Sequence, residues 1–100
     1  MPALMAINDP NALYSCYTIK RLGRRIPEDI SVVGWDDSDP FPDANGVNLL
    51  TCVRFDIAGI GREAAGTLVA LAEEPSGSPR NTVMKPELMV RNSTAAPQRK

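Results

Sequence analysis

Ile30-Ser-Val-Val-Gly-Trp-Asp-Asp37 runs almost unbroken in apolar residues and then stops on two aspartates. A short run without polar alternation fits a strand buried on both faces, as in a parallel sheet. Upstream, Ala3-Leu-Met-Ala-Ile7 has the same character. Between the two, Asn8-Asp9-Pro10 reads as a helix start, with Asp9 capping the free backbone N–H groups and Pro10 at the first helical position. Ala12, Cys16, Ile19 and Leu22 recur at spacings of four, three and three and give one apolar face, flanked by Leu13 and Tyr17. Gly23 marks the helix end, and Lys20, Arg21, Arg24 and Arg25 sit where the helix dipole favours cations. Strand, helix and strand in this order make a βαβ unit with a right-handed crossover.

Downstream, Asp36 to Gly46 reads as a loop, with four Asp, two Pro, one Asn and one Gly. Leu49 to Phe55 is a third strand. Asp56 caps a second helix whose apolar positions are Ile57, Ile60, Ala64, Leu68 and Leu71. Gly59, Gly61 and Gly66 lie inside it, each at a cost of about 1 kcal/mol relative to Ala. Glu74-Pro-Ser-Gly-Ser-Pro79 breaks the pattern, and Thr82–Met84 and Leu88–Arg91 read as short strands. Asn92 to Lys100 reads as a polar, frayed tail.

Composition narrows the function. Hydrophobic residues are 43% and charged residues 23%, ordinary for a globular chain. Eleven Lys and Arg against twelve Asp and Glu give a formal charge of -1, which argues against a basic nucleic-acid-binding module. With no histidine, neither Ser-His-Asp nor Cys-His catalysis can be assembled from these residues alone. Cys16 and Cys52 are too few for a disulfide scaffold. The apolar runs fall far short of the roughly 18 residues a membrane span needs, and the N-terminus lacks signal-peptide character. The expected location is cytoplasmic.

In an open parallel sheet, ligands bind beyond the carboxyl ends of the strands. Those ends carry Asn8-Asp9 and Asp36-Asp37. If the two strands are neighbours, Asn8 and Asp36 converge on one rim, where an amide and a carboxylate can accept hydrogen bonds from the hydroxyls of a polyol or sugar. Asp9 reads as a helix cap and Asp37 as a turn residue, whereas Asp36 reads equally as turn or ligand contact. Trp35 reads as core or as a stacking surface for a sugar face. The aspartates at 36, 37, 39 and 43 lack the spacing of a calcium loop, and no second carboxylate-rich segment answers them, so neither a metal nor acid–base catalysis is expected. The basic group at 20–25 reads as a solvated helix end rather than a phosphate contact.

Four motifs in order resemble the LacI/GalR-type bacterial transcription regulators. Arg25-Ile-Pro-Glu-Asp-Ile-Ser-Val-Val-Gly-Trp-Asp-Asp37 is similar to their R-V-P-E-D-V-S-V-V-G-F-D-D segment. Ala6-Ile-Asn-Asp9 with Ala12-Leu13 resembles A-x-N-D-x-x-A-L. Leu50-Thr-Cys-Val-Arg54 with Asp56 to Ala64 is similar to L-T-T-V-x-x-P/D-x-x-x-L-G-x-x-A, and Pro86 to Thr94 resembles P-x-L-V-V-R-x-S-T.

The resemblance implies a partial periplasmic-binding-protein-like (type I) fold, α/β, with a mostly parallel sheet and flanking helices in a Rossmann-like three-layer sandwich. Residues 1–96 would be the C-terminal fragment of an effector-binding domain: 1–55 mainly the C-terminal lobe, 56–96 the crossover helix and closing strands, 97–100 a flexible tail. The ligand would be a small effector, sugar or nucleoside-like, with Asn8 and Asp36 at family contact positions. Position 55 often supplies a polar contact in the family; Phe55 here implies a less polar ligand portion. Leu13 and Tyr17, with the loop from Asp39 to Asn48, resemble the family's homodimer surface. Operator DNA would be met only through an N-terminal domain outside this chain. No enzyme activity, cofactor, metal or membrane is implied. The chain's length reads as a cut, with apolar faces left orphaned and oligomerisation, rearrangement or poor solubility to follow. A fragment of a periplasmic sugar-binding transport protein is the alternative, disfavoured by the R-I-P-E-D and V-x-N-S-T motifs; a small enzyme built on the aspartate loop is the third reading.

Overall fold

The computed structural model describes residues 2–77 and 81–97. Its central strand, β2 (Ser31–Asp36), is formed by the apolar run that begins at Ile30. It lies between β1 (Ala3–Met5) and β3 (Thr51–Arg54), parallel to both. The last strand, β4 (Glu87–Met89), pairs antiparallel with β3, so the sheet order is β1-β2-β3-β4. The helices are α1 (Asp9–Arg21) and α2 (Ile57–Glu73). The α/β class and the mostly parallel sheet are borne out.

The chain divides into two units, one formed by residues up to Arg54 with those from Glu87 onward, the other by Phe55–Pro86. The first unit runs to Arg54, and the second opens at Phe55. β4 lies in the first unit, where its ladder partner is β3.

In the first unit α1 lays Ala12, Cys16 and Ile19 against β2, and Ala6, Val32, Phe41 and Leu50 complete the core. Each large aliphatic or aromatic side chain buried there contributes roughly 1.5–3 kcal/mol. Phe41 comes from the segment read as a plain loop. Its N–H donates to Asn48 Oδ1 at 2.9 Å, and Pro42 bridges to Asn48. At the end of α1, Leu22 is the C-cap and Gly23 takes a φ of 76°, a left-handed value that costs glycine nothing.

Four local expectations need correction. The cap of α1 is Asn8, whose Oδ1 accepts the Asn11 N–H at 3.0 Å; Asp9 is already helical. β1 is not buried on both faces but stands at the edge of the described sheet, with Met5 70% exposed. Thr82–Met84 forms no strand: among the described residues it has no ladder partner, and Val83 is 88% exposed. The tail is not frayed at its start. Ser93 is buried, donating through Oγ to the Val32 carbonyl at 2.6 Å and accepting the Thr51 N–H at 2.8 Å. Of the expected flexible tail, 98–100 lie outside the described residues.

The second unit holds α2, capped by Asp56, which accepts the Gly59 N–H at 2.9 Å. Gly59 is the buried residue of this helix; Ile57, Ile60, Leu68 and Val69 are exposed. The orphaned apolar face read from the sequence is present. Among the described residues no helix is long and apolar enough to cross a membrane.

Candidate functional site

β1 and β2 are parallel neighbours, so their carboxyl ends open on the same side, with Asn8 following one and Asp36 ending the other. Asn8 spends its side-chain oxygen on the helix cap. Among the described residues its amide N–H groups meet no protein acceptor, so they are available as donors at this rim, while Oδ1 keeps a second lone pair beyond the cap.

Asp9 is fully buried. Its Oδ1 accepts the Trp35 N–H at 2.8 Å, and its Oδ2 accepts those of Ser38 at 2.7 Å and Asp39 at 3.3 Å. A buried carboxylate persists when its hydrogen-bonding capacity is met in this way. Gly34 is the strand's concession to it, because a Cβ there would land on the Asp9 carboxylate and on Leu50 Cδ2. Asp9 therefore ties the end of β2 and the following turn to the start of α1.

Between the gripped amides stand Asp36 and Asp37, with φ of 100° and 59°. Such values cost a non-glycine residue about 1–3 kcal/mol each and survive only when the surroundings fix them. Asp37 supplies part of that fixing. Arg91 donates to both its oxygens, Nη1 to Oδ1 at 2.9 Å and Nη2 to Oδ2 at 3.3 Å. Arg54 Nε donates to Oδ2 at 2.7 Å, and the Cys52 thiol to Oδ1 at 3.1 Å. The Arg91 hydrogen bond, with smaller help from Cys52 and Arg54, holds the Asp37 carboxyl at about 2, against an opposing effect of burial. Burial pushes Cys52 and Cys16 up to about 11, so both stay neutral thiols.

Asp9, Asp37 and Cys52 bring one ligand atom each within 4.8 Å of one another, a spacing a metal ion can use. Their chemistry does not favour one. The Asp9 oxygens are taken by three backbone N–H groups, those of Asp37 by two guanidiniums, and Arg91 Nη1 lies 3.2 Å from the protonated Cys52 sulfur.

Asp36 is different. Its side chain is half-buried, and among the described residues its carboxylate meets no protein donor. Trp35 beside it is 37% exposed, so part of its side chain reaches solvent and the rest is covered. Asn8, Trp35 and Asp36 thus share the strand-end rim of the first unit. Phe55, half-buried, opens the second unit.

Residues 1–94 match the periplasmic binding protein-like domain family. The chain belongs to this family. It is 38% identical over 99 residues to the HTH-type transcriptional regulator MalR of Streptomyces coelicolor, covering 94% of this chain and 27% of that protein. It is 37% identical over 93 residues to the arabinose metabolism transcriptional repressor of Geobacillus stearothermophilus, covering 92% of this chain and 25% of that one. Among solved structures, a transcriptional regulator CelR–cellobiose complex superposes with a TM-score of 0.79 at 33% identity, covering 93% of this chain and 28% of that one. A LacI family transcriptional regulator from Enterococcus faecium with bound ribose gives 0.80 at 26% identity, covering 94% and 34%. The resemblance to LacI-type regulators is borne out, and the chain spans a quarter to a third of these relatives.

Within this family member, Leu13 is half-buried and packs on the core, whereas Tyr17 is more exposed and meets the Phe41 ring edge-on at 5.7 Å. Pro10, Leu13, Tyr14, Tyr17 and Asp39 line a shallow groove of about 280 Å³. The roles of Asp9, Arg54 and Arg91 escaped the sequence reading. One signal was available: Gly34, a lone glycine in a strand of branched residues, marks a close approach.

Proposed function

We propose that this chain is part of the effector-binding domain of a LacI-type transcriptional regulator. Its ligand is a small hydroxyl-rich molecule, sugar-like or nucleoside-like, taken up at the first unit's strand-end rim by Asn8, Trp35 and Asp36. The observation that carries this reading is the contrast among neighbouring aspartates: Asp9 and Asp37 are fully engaged by protein donors, while the half-buried Asp36 carboxylate meets none among the described residues. A carboxylate so placed accepts hydroxyl donors, Asn8 donates, and the partly exposed Trp35 side chain offers apolar surface. Cellobiose and ribose, bound in two solved relatives, are the first ligands to try.

In this reading residues 1–55 belong mainly to the C-terminal lobe, and 56–96 hold the crossover helix and closing segment. The face bearing Leu13 and Tyr17 joins two copies. Operator DNA is met through an N-terminal domain outside these 100 residues, and the protein works in the cytoplasm without catalysing a reaction. Effector binding shifts the population between operator-competent and incompetent states, by its differential affinity for the two.

The test is Asp36→Ala in a full-length regulator carrying this segment. A hydrogen bond to a charged group is worth about 1.5–3 kcal/mol, so sugar affinity is expected to fall roughly 10- to 100-fold per lost bond. Operator affinity without sugar should stay unchanged in a gel-shift titration. Normal induction by the variant at the wild-type sugar concentration would remove Asp36 from the site.

A further inference from the structure

We propose that Asp9 is a positioning residue for Asp36: its buried carboxylate grips the backbone on both sides of the Asp36-Asp37 pair and so aims the Asp36 carboxylate. The inference rests on the reading of Asp36 as a ligand contact, and its test separates the two.

The three N–H groups held by Asp9 belong to Trp35, directly before the pair, and to Ser38 and Asp39, directly after it. A helix-start aspartate acting only on the helix dipole would have no use for donors from another element. The grip closes the turn over two residues whose φ of 100° and 59° needs external fixing. The Asp37 side chain is pinned by Arg91 and Arg54, so of the pair Asp36 alone is left to point outward. Gly34 is an independent sign that the arrangement is built in, because any side chain there would displace the Asp9 carboxylate.

Asp9→Asn keeps the volume but turns one acceptor oxygen into a donor, so at least one gripped amide loses its partner. Gly34→Ala reaches the same end from the other side, pushing the carboxylate away without changing it. Both are made in the full chain, labelled with ¹³C and ¹⁵N. Amide exchange is followed at Trp35, Ser38 and Asp39 against Val32, whose N–H bonds the Ser93 carbonyl at 2.9 Å. The Asp36 ¹³Cγ resonance is recorded, and calorimetry follows binding of cellobiose and D-ribose.

Each variant should speed exchange at the gripped amides at least tenfold relative to Val32, move the Asp36 ¹³Cγ resonance, and weaken the sugar that the wild type binds at least tenfold. Exchange rising equally at Val32, or an unmoved Asp36 resonance, overturns the proposal and leaves Asp9 a purely structural residue. So does unchanged sugar affinity in a variant whose turn has loosened. A wild-type chain that binds neither sugar counts against the sugar reading instead, and the exchange and ¹³C data then decide the positioning role on their own.

Discussion

Asp9, Asp36 and Asp37 carry one side-chain type into three surroundings, and the surroundings assign the work. Asp37 has its carboxyl held at about 2 rather than the ordinary 3.8, chiefly by Arg91. Its side chain is only 10% exposed, so the shift is a real stability contribution, on the order of 2 kcal/mol. A depressed folded pKa gives stability that is complete above about pH 4 and is lost as pH falls through 2. Urea midpoints measured from pH 6 down to 2 should therefore drop steeply at the acid end, and Asp37→Asn should flatten most of that drop. The exposed Arg25–Asp29 pair contributes little to it. Ser93 offers a second check. Ser93→Ala strands the buried Thr51 N–H and removes the donor to the Val32 carbonyl, for an expected loss of about 2 kcal/mol in denaturant unfolding. None of this could be read from the residues in isolation. Asp37 looks like any turn aspartate, and Ser93 like any tail serine, until β2, β3 and the closing segment lie side by side.

Among the elements, α1 and β2 were legible because periodicity and caps are local. Ala12, Cys16 and Ile19 are buried as their spacing required. The cap itself was misplaced by one residue, since Asn8 and Asp9 are equally good cap types and only the three amides waiting for Asp9 distinguish them. α2 was also legible, yet its glycines differ. Gly61 and Gly66 have nothing within 4 Å of an added Cβ, whereas at Gly59 it would meet the Asp56 cap. Gly61→Ala and Gly66→Ala should each raise helix stability by about 1 kcal/mol, seen as higher helicity by circular dichroism and a higher urea midpoint. Gly59→Ala should give no such gain, because it pushes away the carboxylate that caps the helix. Thr82–Met84 shows the limit of pattern reading: a strand exists only where a partner offers the other half of its ladder.

Taken whole, the molecule is uneven in burial. The first unit has a core; the second presents Ile57, Ile60, Leu68 and Val69 to solvent, with Leu68 69% exposed. Amides of α2 should therefore exchange faster than those of β2 and β3 under native conditions. The exposed stripe should also make the chain associate. Sedimentation coefficients rising with concentration, and lowered by Leu68→Lys, are the expected outcome. The sequence by itself determined the α/β class, the order of the main elements, the family resemblance and the strand-end rim with Asn8 and Asp36, because helix period, strand runs and motif order are written along the chain. Tertiary structure alone decided which aspartate is gripped, which is paired and which is left open. Those roles depend on donors brought from distant positions, Trp35 to Asp9 and Arg91 to Asp37, and a linear pattern carries no record of who will stand beside whom.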